Sequence, residues 1–235
     1  MRLHLEDAYK RLCAEYNTSP LSSFLGSLRN TFALPDGDVF IDGSSLEGDH
    51  FCVFAELLRQ LLLQPIVFAQ PLAIRTGSPA PLLEPSASHP PKEHGNHKYY
   101  DVVPRLLRIK LRFSRNANNA DVERVCNLIA TQKVLNCIPS PLLPDSSTNE
   151  KGPVTGTLSQ SNWPERAVIE SIDLNNCVFV SLPGGRALRA AVRRNVYVQN
   201  VFLEGCSVNA AVVAQIAQVT RSNRLQFHLA CAAFD

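Results

Sequence analysis

The sequence predicts an α/β fold in which short parallel strands alternate with helices along a stacked, repeating array. Three observations carry this. Ile169, Ile172, Leu174, Cys177 and Phe179 recur, each 29 residues later, as Val198, Val201, Leu203, Cys206 and Val208. Within each block two apolar residues stand two apart, the period of a strand that buries one side. After each block the apolar spacing changes to that of a helix: Leu188, Ala191 and Val192 at about 184–195, then Val212, Val213, Ile216 and Val219 at about 209–220. A unit this short cannot bury its apolar face alone, so neighbouring units must stack. Strands returned through helices run parallel, and they are expected at about 38–42, 107–111, 171–174 and 200–203.

In chain order, the first element is a helix. Leu5, Ala8, Tyr9, Leu12, Cys13 and Tyr16 form one apolar stripe, and Asn17 ends it. Ser19 is expected to cap a second short helix with Pro20 in its first turn, turning Phe24, Leu25 and Leu28 inward. Residues 1–33 thus read as a helical cap for the exposed end of an array spanning 34–235. A divergent unit follows at Val39, Ile41, Ser44 and Leu46, with a helix carrying Phe51, Phe54, Ala55, Leu58 and Leu62. Another is Leu106, Ile109, Leu111 and Ser114, with Asn116 where an apolar residue is expected and a helix carrying Val122, Val125, Cys126 and Ile129. Asn209 is suited to cap the last helix. Leu225, Phe227 and Leu229 alternate and read as a closing strand. Ile66–Phe68 and Val134–Ile138 read as residual strands, giving five or six in all.

Residues 70–100 and 139–165 break the rhythm. Both are rich in Pro, Ser, Asn, Gly and Thr. Too apolar-poor to offset the entropy of ordering, they read as exposed, mobile insertions.

With 235 residues, 45% of them apolar and 19% charged, the chain can form one globular domain with a sizeable core. No apolar run approaches the ~20 residues that span a bilayer, and the N-terminus does not read as a signal peptide. No membrane association is expected. The seven cysteines include no C-x-x-C pair and read as reduced, buried thiols of an intracellular protein. Net charge is +2. It divides into 5 basic against 9 acidic residues up to position 64, and 18 against 12 after it. That asymmetry is too mild to indicate nucleic acid.

Both 29-residue blocks fit L-x-x-L-x-L-x-x-N/C-x-L, the leucine-rich-repeat signature. In that pattern the ninth residue sits in the turn after the strand, where a small side chain can bond buried backbone. The stretch from Gly184 to Cys206, GGRALRAAVRRNVYVQNVFLEGC, resembles the ribonuclease-inhibitor subclass of these proteins. Tyr9 to Leu28, YKRLCAEYNTSPLSSFLGSL, resembles the opening of a subset found at the centrosome and ciliary base. The resemblance covers roughly 5–65 and 165–230. It implies a solenoid with strands on the concave side and helices on the convex side. It also implies a cytoplasmic or cytoskeletal location at a centrosome, basal body or flagellum. The chain departs from that subset in its two insertions and in having no long coiled coil after the repeats.

Residues between the buried strand positions point outward, and this face supplies the candidate partner-binding residues: Phe40, Arg108, Lys110, Arg112, Asp173, Phe202 and Glu204. RLLRIKLRFSR alternates basic with apolar residues. It reads either as a strand with a solvated face or as a basic stripe for an acidic partner. His89, His94 and His97 with Glu93 could converge on a metal, but no element holds them and no supporting shell is visible, so no metal site is assigned. Cys177 or Cys206 with His228 could form a nucleophile and base, but both cysteines already fill repeat turns. Trp163 reads as a plug over the array end or as a partner-binding aromatic. The chain lacks the nucleophile-elbow, P-loop, zinc-protease and dinucleotide motifs. No catalytic residue and no cofactor is assigned. The expected function is a non-catalytic interaction or scaffold module that engages a protein on its concave face. The alternative is a regulator that occludes a partner enzyme.

Overall fold

The computed structural model describes residues 2–70, 106–131 and 166–232. A two-residue strand β1 (Arg2–Leu3) leads into helices α1 (Leu5–Glu15) and α2 (Ser22–Arg29), then strand β2 (Asp38–Gly43) and helix α3 (His50–Leu63). A single helical turn α4 (Pro65–Phe68) and strand β3 (Ala69–Gln70) follow. The remainder alternates strand and helix: β4 (Leu106–Phe113), α5 (Asn119–Thr131), β5 (Arg166–Asp173), α6 (Leu182–Arg194), β6 (Asn200–Phe202) and α7 (Ala210–Ala232). β2, β4, β5 and β6 form one sheet in that order, every neighbouring pair parallel. The fold is therefore α/β with a parallel sheet and a helix after each strand, as the 29-residue offset predicts.

Strand parity explains the core. In β4, Leu107, Ile109, Leu111 and Phe113 are buried, while Arg108 and Lys110 between them are only partly covered and Arg112 is exposed. The apolar position assigned to Leu106 belongs to Leu107, which alternation puts on the same side as Ile109. In β5, Ile169 and Ile172 are both buried although they stand three apart. An irregularity between Ile109/Ile169 and Lys110/Ser171 absorbs the extra residue at Glu170, returning Ile172 and Leu174 to the core side. The last apolar position of that unit was expected at Phe179. Phe179 is 60% exposed, and Val180 is buried in its place. The polar Asn116 is exposed and Ala117 fills the space.

The N-terminal segment joins the same core. Leu5, Tyr9, Leu12, Phe24 and Leu28 belong to one buried cluster with Val39, Ile41 and the inward side of α3. Asn17 ends α1 with a positive φ of 52°, as its position suggests. Helix α2 begins at Ser22 after Leu21, without a side-chain cap, so Ser19 and Pro20 lie outside it. Tyr16 is 49% exposed rather than part of the inward stripe. Ile66–Phe68 is helical, and the strand comes after it, β3 pairing antiparallel with β1. Val134–Ile138, the histidine loop, Trp163 and nearly all of both insertions lie outside the described residues.

The C-terminus differs most from expectation. Leu225, Phe227 and Leu229 lie on helix α7, not on a strand. Leu225 and Leu229 are 59% and 71% exposed, and Phe227 packs edge-on against Tyr197 at 6.2 Å. Five alternating residues match either period over so short a span. Tertiary contacts decide it, because buried Asn223 on α7 donates to the carbonyls of Val192, Asn195 and Val198. Asn209 does cap α7, its Oδ1 accepting from the Ala211 N–H at 2.8 Å. Leu203 occupies a repeat core position but is only partly buried. Among the described residues no further strand stacks on β6.

Glu6 carries a pH prediction. Arg29 binds it through two nitrogens and Lys10 sits at 2.6 Å, holding its carboxyl down from 4.5 to about 2. A depressed folded pKa adds stability that is complete above the unfolded value and lost as pH falls through the folded one. Glu6→Gln is therefore expected to flatten the pH dependence of the melting temperature between about 4.5 and about 2. Identical acid profiles for the variant and the wild type would show that the cluster contributes nothing.

Candidate functional site: the exposed strand face

The register of the sheet sets the face. Asp38, Phe40 and Asp42 on β2 stand beside Arg108, Lys110 and Arg112 on β4. Lys110 and Arg112 in turn stand beside Ser171 and Asp173 on β5, which adjoin Asn200 and Phe202 on β6. Six of the seven candidate residues are thus assembled on one surface. Glu204 lies just past β6 at its C-terminal rim, its N–H donating to Asn175 Oδ1 at 2.9 Å.

The basic strand is not a bare stripe. Arg108 contacts Asp38 at 2.8 Å and Asp36 at 3.2 Å. Lys110 is bonded to Asp38 as well. Arg112 reaches Asp173 through Nε at 3.3 Å and lies over the Phe40 ring, 5.7 Å from its centre. The acidic and basic strands therefore neutralise much of each other across the sheet. The most open apolar residues of the face are aromatic: Phe40 is 50% exposed and Phe202 48%. They sit on the two outer strands of a rigid surface, with ion-paired rows between them.

At the C-terminal ends of β2, β4 and β5 the face opens into a hollow of about 340 Å³, lined by Ser44, Arg112, Phe113, Arg115, Asp173, Asn175 and Asn176. Sequence reasoning missed Arg115, Asn176 and Ser44 as site residues. The one local signal in the sequence is the Asn175–Asn176 pair, since asparagine tolerates the left-handed turn that Asn176 adopts at φ 64°.

The imagined cysteine nucleophiles have other work. Cys177 Sγ donates to the Ser114 carbonyl at 3.2 Å, and Cys206 Sγ to the Leu174 carbonyl at 3.0 Å. Each thus ties its turn to the preceding strand–helix unit. Burial, with smaller contributions from Cys206 and Asp173, pushes the Cys177 thiol up to about 12, and burial raises Cys206 too. Thiols so shifted stay protonated near neutrality and are poor nucleophiles. Among the described residues, no three His, Cys, Asp or Glu side chains gather as metal ligands, and no helix is long and apolar enough to cross a membrane.

Comparison with protein-family models, curated proteins and solved structures finds no match to the chain.

Proposed function

We propose that the chain is a leucine-rich-repeat solenoid acting as a non-catalytic interaction or scaffold module, which docks a protein partner on its strand face. The observation that carries this is the pair of half-exposed phenylalanines, Phe40 and Phe202, on opposite strands of one parallel sheet. Large aromatics on a pre-ordered surface give up apolar area to a partner at low entropic cost. The repeat reading is supported by the sequential strand order and by the recurrent Cys177 and Cys206 bonds to the unit before. The intrachain ion pairs mean the centre of the face can hold register and discriminate between partners without needing net attraction to an acidic one. Placement in a centrosomal, basal-body or flagellar assembly rests on the sequence resemblance alone.

The test is affinity purification from cells with quantitative mass spectrometry, using wild type and Phe40→Ala/Phe202→Ala. The double variant should keep its melting temperature and lose the wild-type partner by about tenfold or more, since buried aromatic anchors dominate such interfaces. Equal recovery of the same partner by both proteins would remove the strand face from the account. Assaying the recovered partner for activity with and without the chain then separates a scaffold from an occluding regulator.

A further inference from the structure

We infer that the hollow at the C-terminal ends of β2, β4 and β5 is a carboxylate-binding subsite, taking an Asp or Glu side chain from an acidic segment of the protein partner. The inference rests on the strand face being the docking surface. Its basis is a surplus of donors. Both carboxylate oxygens of Asp173 are occupied, Oδ1 by the Asn175 N–H at 3.0 Å and Oδ2 by Arg112 Nε. The Asn175 side-chain oxygen is occupied by the Glu204 N–H. The hydrogen-bond donors around them are unspent. Among the described residues, the two terminal nitrogens of Arg112, the Arg115 guanidinium, the amide nitrogens of Asn175 and Asn176 and the Ser44 hydroxyl have no partner. Arg112 is meanwhile held in place by Asp173 on one side and by the Phe40 ring beneath it.

Donors without protein acceptors, gathered around an anchored Arg112, suit an oxyanion, and guanidinium forks match carboxylates in pairs. The charge of the lining selects which oxyanion. Among the lining residues two guanidiniums stand against the single carboxylate of Asp173, and Asp42, beside Arg112 in the sheet, and Glu204, bonded through its N–H to Asn175, add negative charge close by. Such a setting accepts a singly charged carboxylate and disfavours a doubly charged phosphate. The other cations of the face are excluded as the primary site because Arg108 is already engaged by Asp36 and Asp38, and Lys110 by Asp38.

The experiment is fluorescence anisotropy of a labelled oligoglutamate peptide titrated with the full chain at low salt. Wild type should bind saturably. Arg115→Gln should weaken binding about tenfold, the scale of one lost charge-assisted contact, while Arg108→Gln should change it by less than about twofold. Glutarate should displace the peptide, and inorganic phosphate at the same concentration should not. Absence of saturable binding, or equal losses from Arg108→Gln and Arg115→Gln, would overturn the subsite in favour of diffuse charge. Stronger displacement by phosphate would overturn the carboxylate assignment. The docking reading fails separately: the Phe40/Phe202 variant would then retain the cellular partner whatever the peptide does.

Discussion

Phe54→Ala is expected to cost about 3–5 kcal/mol of folding stability, the range for deleting a fully buried aromatic ring. Phe54 is 1% exposed on α3, and its ring meets two others edge-on, Phe24 at 5.7 Å and Phe113 at 6.4 Å. Phe24 in turn meets Tyr9 edge-on at 4.9 Å. Tyr9 belongs to α1, Phe24 to α2 and Phe113 to β4, so this one ring ties the N-terminal helices to the sheet. Its removal leaves a cavity and also forfeits two edge-to-face contacts of about 0.5–1.5 kcal/mol each. Urea unfolding would measure the loss as a lower midpoint at unchanged slope. A loss below about 1.5 kcal/mol would mean that α1 and α2 do not share the sheet's core, and the helical segment would be a separate unit.

Asn223→Ala is expected to cost about 3 kcal/mol, far more than truncating an ordinary helical asparagine. Its amide nitrogen lies 3.0 Å from the Val192 carbonyl, 3.2 Å from that of Asn195 and 2.9 Å from that of Val198. The first of these lies in the last turn of α6, where helix geometry leaves carbonyls without internal donors. The site is closed: Asn223 is 5% exposed and Asn195 is fully covered. Asn195 is itself engaged, donating to the Ile129 carbonyl at 3.2 Å and accepting from the Tyr197 N–H. Alanine would leave the Val192 and Val198 carbonyls without this donor in a closed site, at about 1–3 kcal/mol for each that does not relax, while the Asn195 carbonyl keeps the Val198 N–H at 3.4 Å. Asn223→Asp should be no better at neutral pH, because it turns a charged acceptor toward other acceptors. Thermal unfolding of both variants is the measurement. An alanine variant within about 0.5 kcal/mol of wild type would show that α7 is not pinned here, leaving its helical course past Thr220 without a cause.

The parts of the fold legible in the sequence are those in which a residue's side is dictated by spacing. The 29-residue offset places β5, β6 and the helices after them, because Ile169, Leu174, Leu188 and Ile216 are buried for reasons local to their own unit. Parity slipped where two apolar residues adjoin. Leu106 and Leu107 are indistinguishable without a partner strand, as are Phe179 and Val180. The two-residue strands β1 and β3 carry no periodicity at all and exist through backbone pairing, with each other and, for β1, with Thr31 and Phe32. On the candidate face, outward direction could be read but pairing could not. That Arg108 and Lys110 share Asp38 depends on the register of β2 against β4, across more than sixty intervening residues. The hollow is less legible still. Arg115, Ser44 and Asn176 form no motif, and only the ends of three strands bring them together.

The two margins of the sheet are protected from self-association in different ways. At the β2 margin the chain covers itself: Ala33 bridges antiparallel to Val39, the Leu34 N–H bonds the Asp38 carbonyl, and the turn between is closed at Gly37, whose φ of 90° suits glycine. No second molecule can add a strand there without displacing this flap. The β6 margin has no such cover among the described residues. It is guarded by brevity, since it offers three residues of ladder where a template for runaway pairing needs a longer, flatter row. A substitution that lengthened β6 by straightening the turn at Gly205, with its φ of 74°, would thus trade a quiet edge for a sticky one.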